Sequence, residues 1–398
     1  MEGHQSPLSG PKPLFVFVVG DGMADVPNTA LGGKTPLMSA RCPRMDVLAG
    51  QSGVRMARTI PEGLPAGTET AMPLIAGYGT DVLTGRGPME AAGMGVVLPA
   101  GQFAMRVNIV RMDTDDILLE ACPELSDDEG FEAARLLAED AMVRGILGDK
   151  GWVLHPQPGF RQLMTGPGET APTGMTPPHQ VSGSPMSMFI PDDATVAGFM
   201  RRGRDLLLKR GQGVWPWGAG VVPRYEPFSD KYGVSGAVIS AVPVVRGLAR
   251  LAGMSTPDVP GATGTLHTNW KGKADAVLSA AAAGFGFIML HAEAPDDCSH
   301  ARDLKGKIMA IEMLDETIGR VVDGLNASAT EYRMALISDH VTDTLTGCHG
   351  TQPVPWCVFD SRMPAGEPAQ FAEAYRAKAE HYSAPLRELL TSRPEGLA

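Results

Sequence analysis

Apolar and polar positions along this chain sort into short continuous apolar runs closed by glycine, proline or an acid, with stretches of helical periodicity between them. Leu14 to Val19 is six apolar residues rich in Phe and Val, and Phe285 to Leu290 and Met334 to Ile337 repeat that texture. Runs of this length and composition predict strands buried on both faces, as a parallel sheet requires. Gly236 to Val242 predicts one more. Cys42 to Gly50 and Ala71 to Ala76 read as short helices, Val245 to Ala252 and Ala274 to Ala283 as further helices, and Asp303 to Leu325 as a clearly amphipathic one. Strands alternating with helices predict an α/β fold, a mostly parallel sheet flanked by helices.

The middle of the chain breaks this rhythm. Phe103 to Val110 alternates as a strand with Arg106 and Asn108 on one face, Ser126 to Leu147 turns helical and acidic, and Pro156 to Pro191, rich in Pro, Gly, Ser and Met, predicts long loops with one or two strands. We therefore expect residues 101–225 to form an inserted α+β lid or substrate domain, and residues 1–100 and 226–398 to form one discontinuous domain. The Pro/Gly/Ser stretch Ser6 to Lys12 reads as a loose tail.

Composition narrows the partners. The chain has 398 residues, 43% hydrophobic and 20% charged, with a formal net charge of -11. That is ordinary globular composition, and the acidic balance argues against a nucleic-acid or anionic-membrane partner while leaving room for a small anionic substrate in a locally positive pocket. No apolar run approaches a membrane span and Met1 to Lys12 lacks the apolar core of a secretory signal, so cytoplasmic residence is expected. Five cysteines, widely spaced and without a CxxC pair, fit reduced thiols.

The candidate chemistry lies where the apolar runs stop. Asp21 follows the first run, flanked by Gly20 and Gly22; Asp296 and His300 lie four apart beyond another; Asp339 and His340 are adjacent at the end of a third, and His349 follows across a polar loop. Carboxyl ends of parallel strands are where open α/β sheets bind ligands. Each of these residues also has a plain reading, as a helix cap or a solvated strand end. Thr68, after the Pro/Gly turn Pro61 to Gly67, sits at a helix N-terminus and reads either as an N-cap or as a hydroxyl beside a phosphoryl group. Arg86, between two glycines, and Arg106 with Asn108 are candidate substrate contacts or surface and cavity residues. Taken together, an oxygen and nitrogen ligand set that needs no cysteine suits two divalent ions, Mn²⁺ or Zn²⁺ with Mg²⁺ or Co²⁺ as alternatives. A pair about 3.5–4 Å apart is the clamp of phosphoryl transfer.

The motifs VVGDGMAD, LGGKTPL, PAGTETA, TGRGPMEAAGMGV, GAVISAV, PGATG, HAEAPDDCSH, ALISDH and HGTQPVP, in this order over most of the chain, resemble those of the alkaline-phosphatase superfamily and, within it, the archaeal-type 2,3-bisphosphoglycerate-independent phosphoglycerate mutases. The resemblance implies an alkaline-phosphatase-like fold, one metal held by Asp21, Thr68, Asp339 and His340, a second held by Asp296, His300 and His349, and Thr68 as nucleophile. It further implies interconversion of 3-phosphoglycerate and 2-phosphoglycerate through a phosphothreonine, a step of glycolysis and gluconeogenesis. The family pattern has serine where Thr68 stands and aspartate where Glu69 stands, and the run His300-Ala301-Arg302-Asp303 is less acidic than its counterpart. WPWGAG, DKYGVSGAVISAV and VPGATGTLHTNWKGKA also resemble a bacterial branch labelled proposed homoserine kinase, although no Walker-type motif is present. Kinase-like transfer, a phosphatase or phosphodiesterase, and a non-catalytic metal-binding protein are the alternatives. Oligomeric state is not legible.

Overall fold

The computed structural model describes residues 13–374 and 377–391, so the tail expected at Ser6 to Lys12 lies outside the described residues. They divide into two compact units, one of residues up to Gly79 with Glu226–Val242 and Ala252 onward, the other of Thr80–Tyr225 with Pro243–Leu251. No described helix is long and apolar enough to cross a membrane.

The first unit is built on a seven-stranded sheet in the order Ala379–His381, Arg55–Arg58, Val354–Asp360, Tyr332–Ser338, Leu14–Gly20, Phe287–Ala292, Gly236–Ile239. The last four strands are mutually parallel, while Val354–Asp360 runs antiparallel to both its neighbours. All seven residues of Leu14–Gly20 and of Tyr332–Ser338 are buried, which is why these strands read as continuous apolar runs rather than alternating ones. Val16, Val18, Met334, Leu336, Ile288 and Leu290 pack on one face against helices Pro43–Ser52, Trp270–Ala282 and Leu304–Ala327. The helix Ala384–Thr391 contacts the Leu14–Gly20, Tyr332–Ser338 and Val354–Asp360 strands.

The second unit is a five-stranded antiparallel sheet centred on Gln102–Met112, which pairs with Leu118–Glu120, Arg161–Pro167 and Gln212–Val221. Its core is Phe103, Met105, Val107 and Ile109 against Phe199, Met200, Leu207 and Trp215. The helical stretch from Ser126 is two helices, Asp127–Glu139 and Ala141–Gly148, because Asp140 leaves the helical backbone and caps the second through the amides of Met142 and Val143.

Candidate active site

Three adjacent parallel strands end at one edge of the first sheet. Register pairs Gly20 with Ser338 on one side and Ala292 on the other. Asp21 and Asp339 therefore leave neighbouring strands at the same level, and the third strand leads through Glu293 into helix Ala294–His300, which carries Asp296 and His300 four residues apart on one face. His349 is not in an open loop: it sits on a small antiparallel ribbon of Val341–Asp343 with Cys348–Gly350. Thr68 is the first residue of helix Thr68–Ile75, following Gly67. The seven residues expected as metal ligands or nucleophile thus belong to one unit and come together.

The distances are short enough for shared ligation. His340 Nε2 is 3.4 Å from Asp21 Oδ1 and 3.4 Å from Asp339 Oδ2. Thr68 Oγ1 is 3.4 Å from Asp21 Oδ2 and 3.5 Å from His340 Nε2, so its hydroxyl faces the acids. On the other side Asp296 lies 3.1 Å from His300 Nε2 and 3.4 Å from His349 Nε2. Asp21, Asp339 and His340 converge as one possible metal-holding group, and Asp296, His340 and His349 as another.

Outer partners fix which nitrogen of each imidazole points inward. A backbone carbonyl can only accept, so His300 Nδ1, 2.8 Å from Gly347 O, and His349 Nδ1, 3.1 Å from Ala66 O, must each donate. Their Nε2 atoms then face each other at 3.0 Å and Asp296 beyond. Two lone pairs at that distance repel, and only a positive charge between them and the carboxylate relieves it: a proton in the metal-free protein, a metal ion otherwise.

Electrostatics point the same way. Burial first, then the charges of Asp339 and Asp296, push Asp21 well above the usual carboxylate range. Burial likewise raises Asp339 to about 7, against the amides of Gly22 and His340 that hydrogen-bond it. Burial also acts on Asp296, but the imidazoles of His300 and His349 outweigh it and hold that carboxyl well below its ordinary value. Asp21 Oδ1 and Asp339 Oδ2 are buried without a hydrogen-bond partner. Anionic oxygens left unmatched in the interior are what a cation would satisfy, so the donor set fits divalent metal. Gly22 makes the approach possible: its φ is +53°, and a Cβ there would lie 2.5 Å from both Asp296 Oδ1 and Thr342 Oγ1.

Sequence reading passed over one buried neighbour. The strand expected to stop at Leu290 runs to Ala292, which places His291 opposite Val19, fully buried, with Nε2 3.1 Å from Asp21 Oδ2 and Nδ1 3.3 Å from the Ser240 hydroxyl. Asp21 at the end of the adjacent strand was the signal, since a partner strand of equal length would carry His291 beside it.

Arg86, Arg106 and Asn108 belong to the second unit, where they form a knot around Glu90. Arg106 Nη1 and Arg86 Nε both donate to Glu90 Oε1 at 2.7 Å. Arg106 Nε donates to Asn108 Oδ1 at 2.8 Å, which also accepts from Trp217 Nε1 at 3.1 Å. Burial would raise Glu90, yet Arg106 and Arg86 override it and hold it at about 2.

Known proteins bear on this geometry. A family model described as the metalloenzyme superfamily matches residues 13–381. The chain is 37% identical over 366 residues to a 2,3-bisphosphoglycerate-independent phosphoglycerate mutase of Methanothrix thermoacetophila, covering 87% of this chain and 91% of that one. It is 35% identical to a probable enzyme of the same name in Geobacter sulfurreducens, over 87% and 90% of the two chains. Among solved structures, a Pyrococcus horikoshii protein aligns with TM-score 0.70 at 25% identity over 92% of each chain. The cofactor-independent phosphoglycerate mutase of Thermoplasma acidophilum shares the fold, with TM-score 0.55 at 19% identity over 95% of this chain and 98% of that one.

Proposed function

The chain belongs to the metalloenzyme superfamily and, within it, to the 2,3-bisphosphoglycerate-independent phosphoglycerate mutases, and from that premise we propose that it interconverts 3-phosphoglycerate and 2-phosphoglycerate through a phosphothreonine at Thr68. The observation that carries this reading is the Thr68 hydroxyl, buried and directed at Asp21 Oδ2 and His340 Nε2. Membership makes divalent metal part of the enzyme; two ions, manganese or zinc, are our reading of their identity and number. Asp21, Thr68, Asp339 and His340 would hold one, and Asp296, His300 and His349 the other. When bound, they supply positive charge that favours the ionised hydroxyl and the charge developing on the transferring phosphoryl group.

The residues of the chain do the rest. Thr68 Oγ1 attacks phosphorus in line with the 3-oxygen of the substrate; the new P–O bond to threonine forms as the bond to that oxygen breaks, and Asp21 Oδ2 is placed to receive the hydroxyl proton. That proton passes on to the freed 3-oxygen; the glycerate then turns, its 2-hydroxyl attacks the phosphothreonine as the P–O bond to Thr68 breaks, and the 2-hydroxyl proton returns to Thr68. The β-branched threonine permits this as serine would, with a stiffer χ1. Water must stay out during the turn, or it would take the phosphoryl group in place of the 2-hydroxyl. Arg86, Arg106 and Asn108, gathered around Glu90, are proposed substrate contacts, the guanidiniums suited to an anionic group. A small phosphorylated metabolite as substrate goes with residence in the cytosol.

Phosphorus NMR of the metal-stripped protein with 3-phosphoglycerate, before and after Mn²⁺, tests the reading. We expect 2-phosphoglycerate to appear only with metal. Free phosphate in its place would make the protein a hydrolase, and an unchanged spectrum would remove the mutase assignment.

A further inference from the structure

We propose that Thr342 is the positioning residue shared by both metal positions and that the buried Lys307 holds it there; the inference rests on the two-metal reading above. Thr342 is fully buried. Its Oγ1 donates to Asp296 Oδ1 at 2.6 Å and lies 3.1 Å from His340 Nδ1. A carboxylate oxygen cannot donate, so the hydroxyl proton belongs to Asp296 and the hydroxyl oxygen accepts from His340 Nδ1–H. That single oxygen fixes the tautomer of His340, aiming Nε2 at Asp21, Asp339 and Thr68, while it orients Asp296 toward His300 and His349. One hydroxyl therefore sets a ligand in each group.

The backbone of Thr342 is held as firmly. Its amide donates to Ala24 O at 3.0 Å, and its carbonyl accepts from Lys307 Nζ at 2.7 Å. The same ammonium donates to Asp25 Oδ2 at 2.9 Å and to Ala24 O at 3.3 Å. Its three protons go to three acceptors. Those acceptors lie just past Asp21 and just past His340, and Lys307 itself stands on the helix that follows Asp296 and His300. The three ligand-bearing segments thus meet at one buried cation, and Gly22, whose missing side chain would strike both Asp296 Oδ1 and Thr342 Oγ1, leaves room for the contact. Groups that orient metal ligands in this way are worth about 10–100-fold in metal affinity.

Calorimetric titration of Mn²⁺ into the metal-stripped full chain, with Thr342→Val and Thr342→Ser beside the unsubstituted protein, tests this. We expect valine to weaken binding at both positions by about 10–100-fold and serine to stay within a few-fold, with the metal-free unfolding midpoints of all three close together. Nitrogen-15 NMR of the metal-free valine variant should find the His340 proton moved from Nδ1 to Nε2. Unchanged affinity in Thr342→Val, weakening at one position alone, or equal weakening in both variants alongside a lowered metal-free midpoint would each overturn the inference. An unsubstituted chain that takes up no Mn²⁺ would instead bring down the two-metal reading beneath it.

Discussion

Asp21 and Asp339 in the first unit and Glu90 in the second are equally inaccessible carboxylates, each on or beside a well-packed sheet. Their surroundings differ in sign. Around Asp21 and Asp339 burial leads and neighbouring acids add to it, so both carboxyls are pushed upward. Around Glu90 the neighbouring charges are guanidiniums, and it is held at about 2. The cost is not erased in the second case: burial still drags Arg106 down to about 10 even with Glu90 beside it. A closed ion pair of this kind contributes little net stability while intact and much instability when broken. Burial alone therefore does not mark a binding site. What marks it is burial with the balancing charge left out, so that the protein must import it.

The sharpest way to break the comparison is at the nucleophile. Thr68→Ala should lower kcat by a factor on the order of 10⁶, the scale of losing a nucleophile, with no phosphoprotein detectable by mass spectrometry and an unfolding free energy within ~1 kcal/mol of the parent. Residual turnover of parental size would remove the covalent route. Next in size is Glu90→Gln, which strands Arg106 in the interior. Urea unfolding should then lose about 3–5 kcal/mol, with Mn²⁺ affinity unchanged because Glu90 is not among the proposed ligands.

The pH response is the most diagnostic, because the two regions should respond with opposite slopes. Glu90 is depressed from 4.5 to about 2: its stabilising contribution is present above pH 4.5 and is lost as pH falls toward 2. Asp339 is raised from 3.8 to about 7: between those values the native form holds a proton that the unfolded chain has released, so metal-free stability from this group falls as pH rises through that window. Asp339→Asn should flatten the loss between pH 4 and 7, and saturating Mn²⁺ should reverse it, adding ~2.7 kcal/mol at a hundred times its Kd. A metal-free protein whose stability rises monotonically from pH 4 to 7 in both parent and variant would contradict the assignment.

How much of this could be read beforehand depended on the range of the interactions. Asp21 and Asp339 were legible because a continuous apolar run must end somewhere, and in a parallel sheet its end is where a polar residue meets ligand. The two-residue period likewise put Arg106 and Asn108 on one face, as observed. His291 escaped because the expected strand stopped at Leu290. Thr342 and Lys307 escaped for a different reason. In the sequence Lys307 is one lysine in an amphipathic helix, indistinguishable from a solvated one, and its partners at Ala24, Asp25 and Thr342 come from distant parts of the chain. Side chains that serve carbonyls leave no pattern of their own.

One hydrogen bond at the site has a consequence in time. The amide of Gly22 is joined to Asp339 across 317 positions of sequence. At the ~5–20 residues per second of ribosomal synthesis, tens of seconds pass between the emergence of the first ligand and that of its partners. Through that interval a nascent chain lacks Asp339, His340 and His349, and with them part of each proposed ion-holding group. On the proposed ligand set, metal capture is thereby a late event, and a product terminated before Asp339 could complete neither proposed ion-holding group.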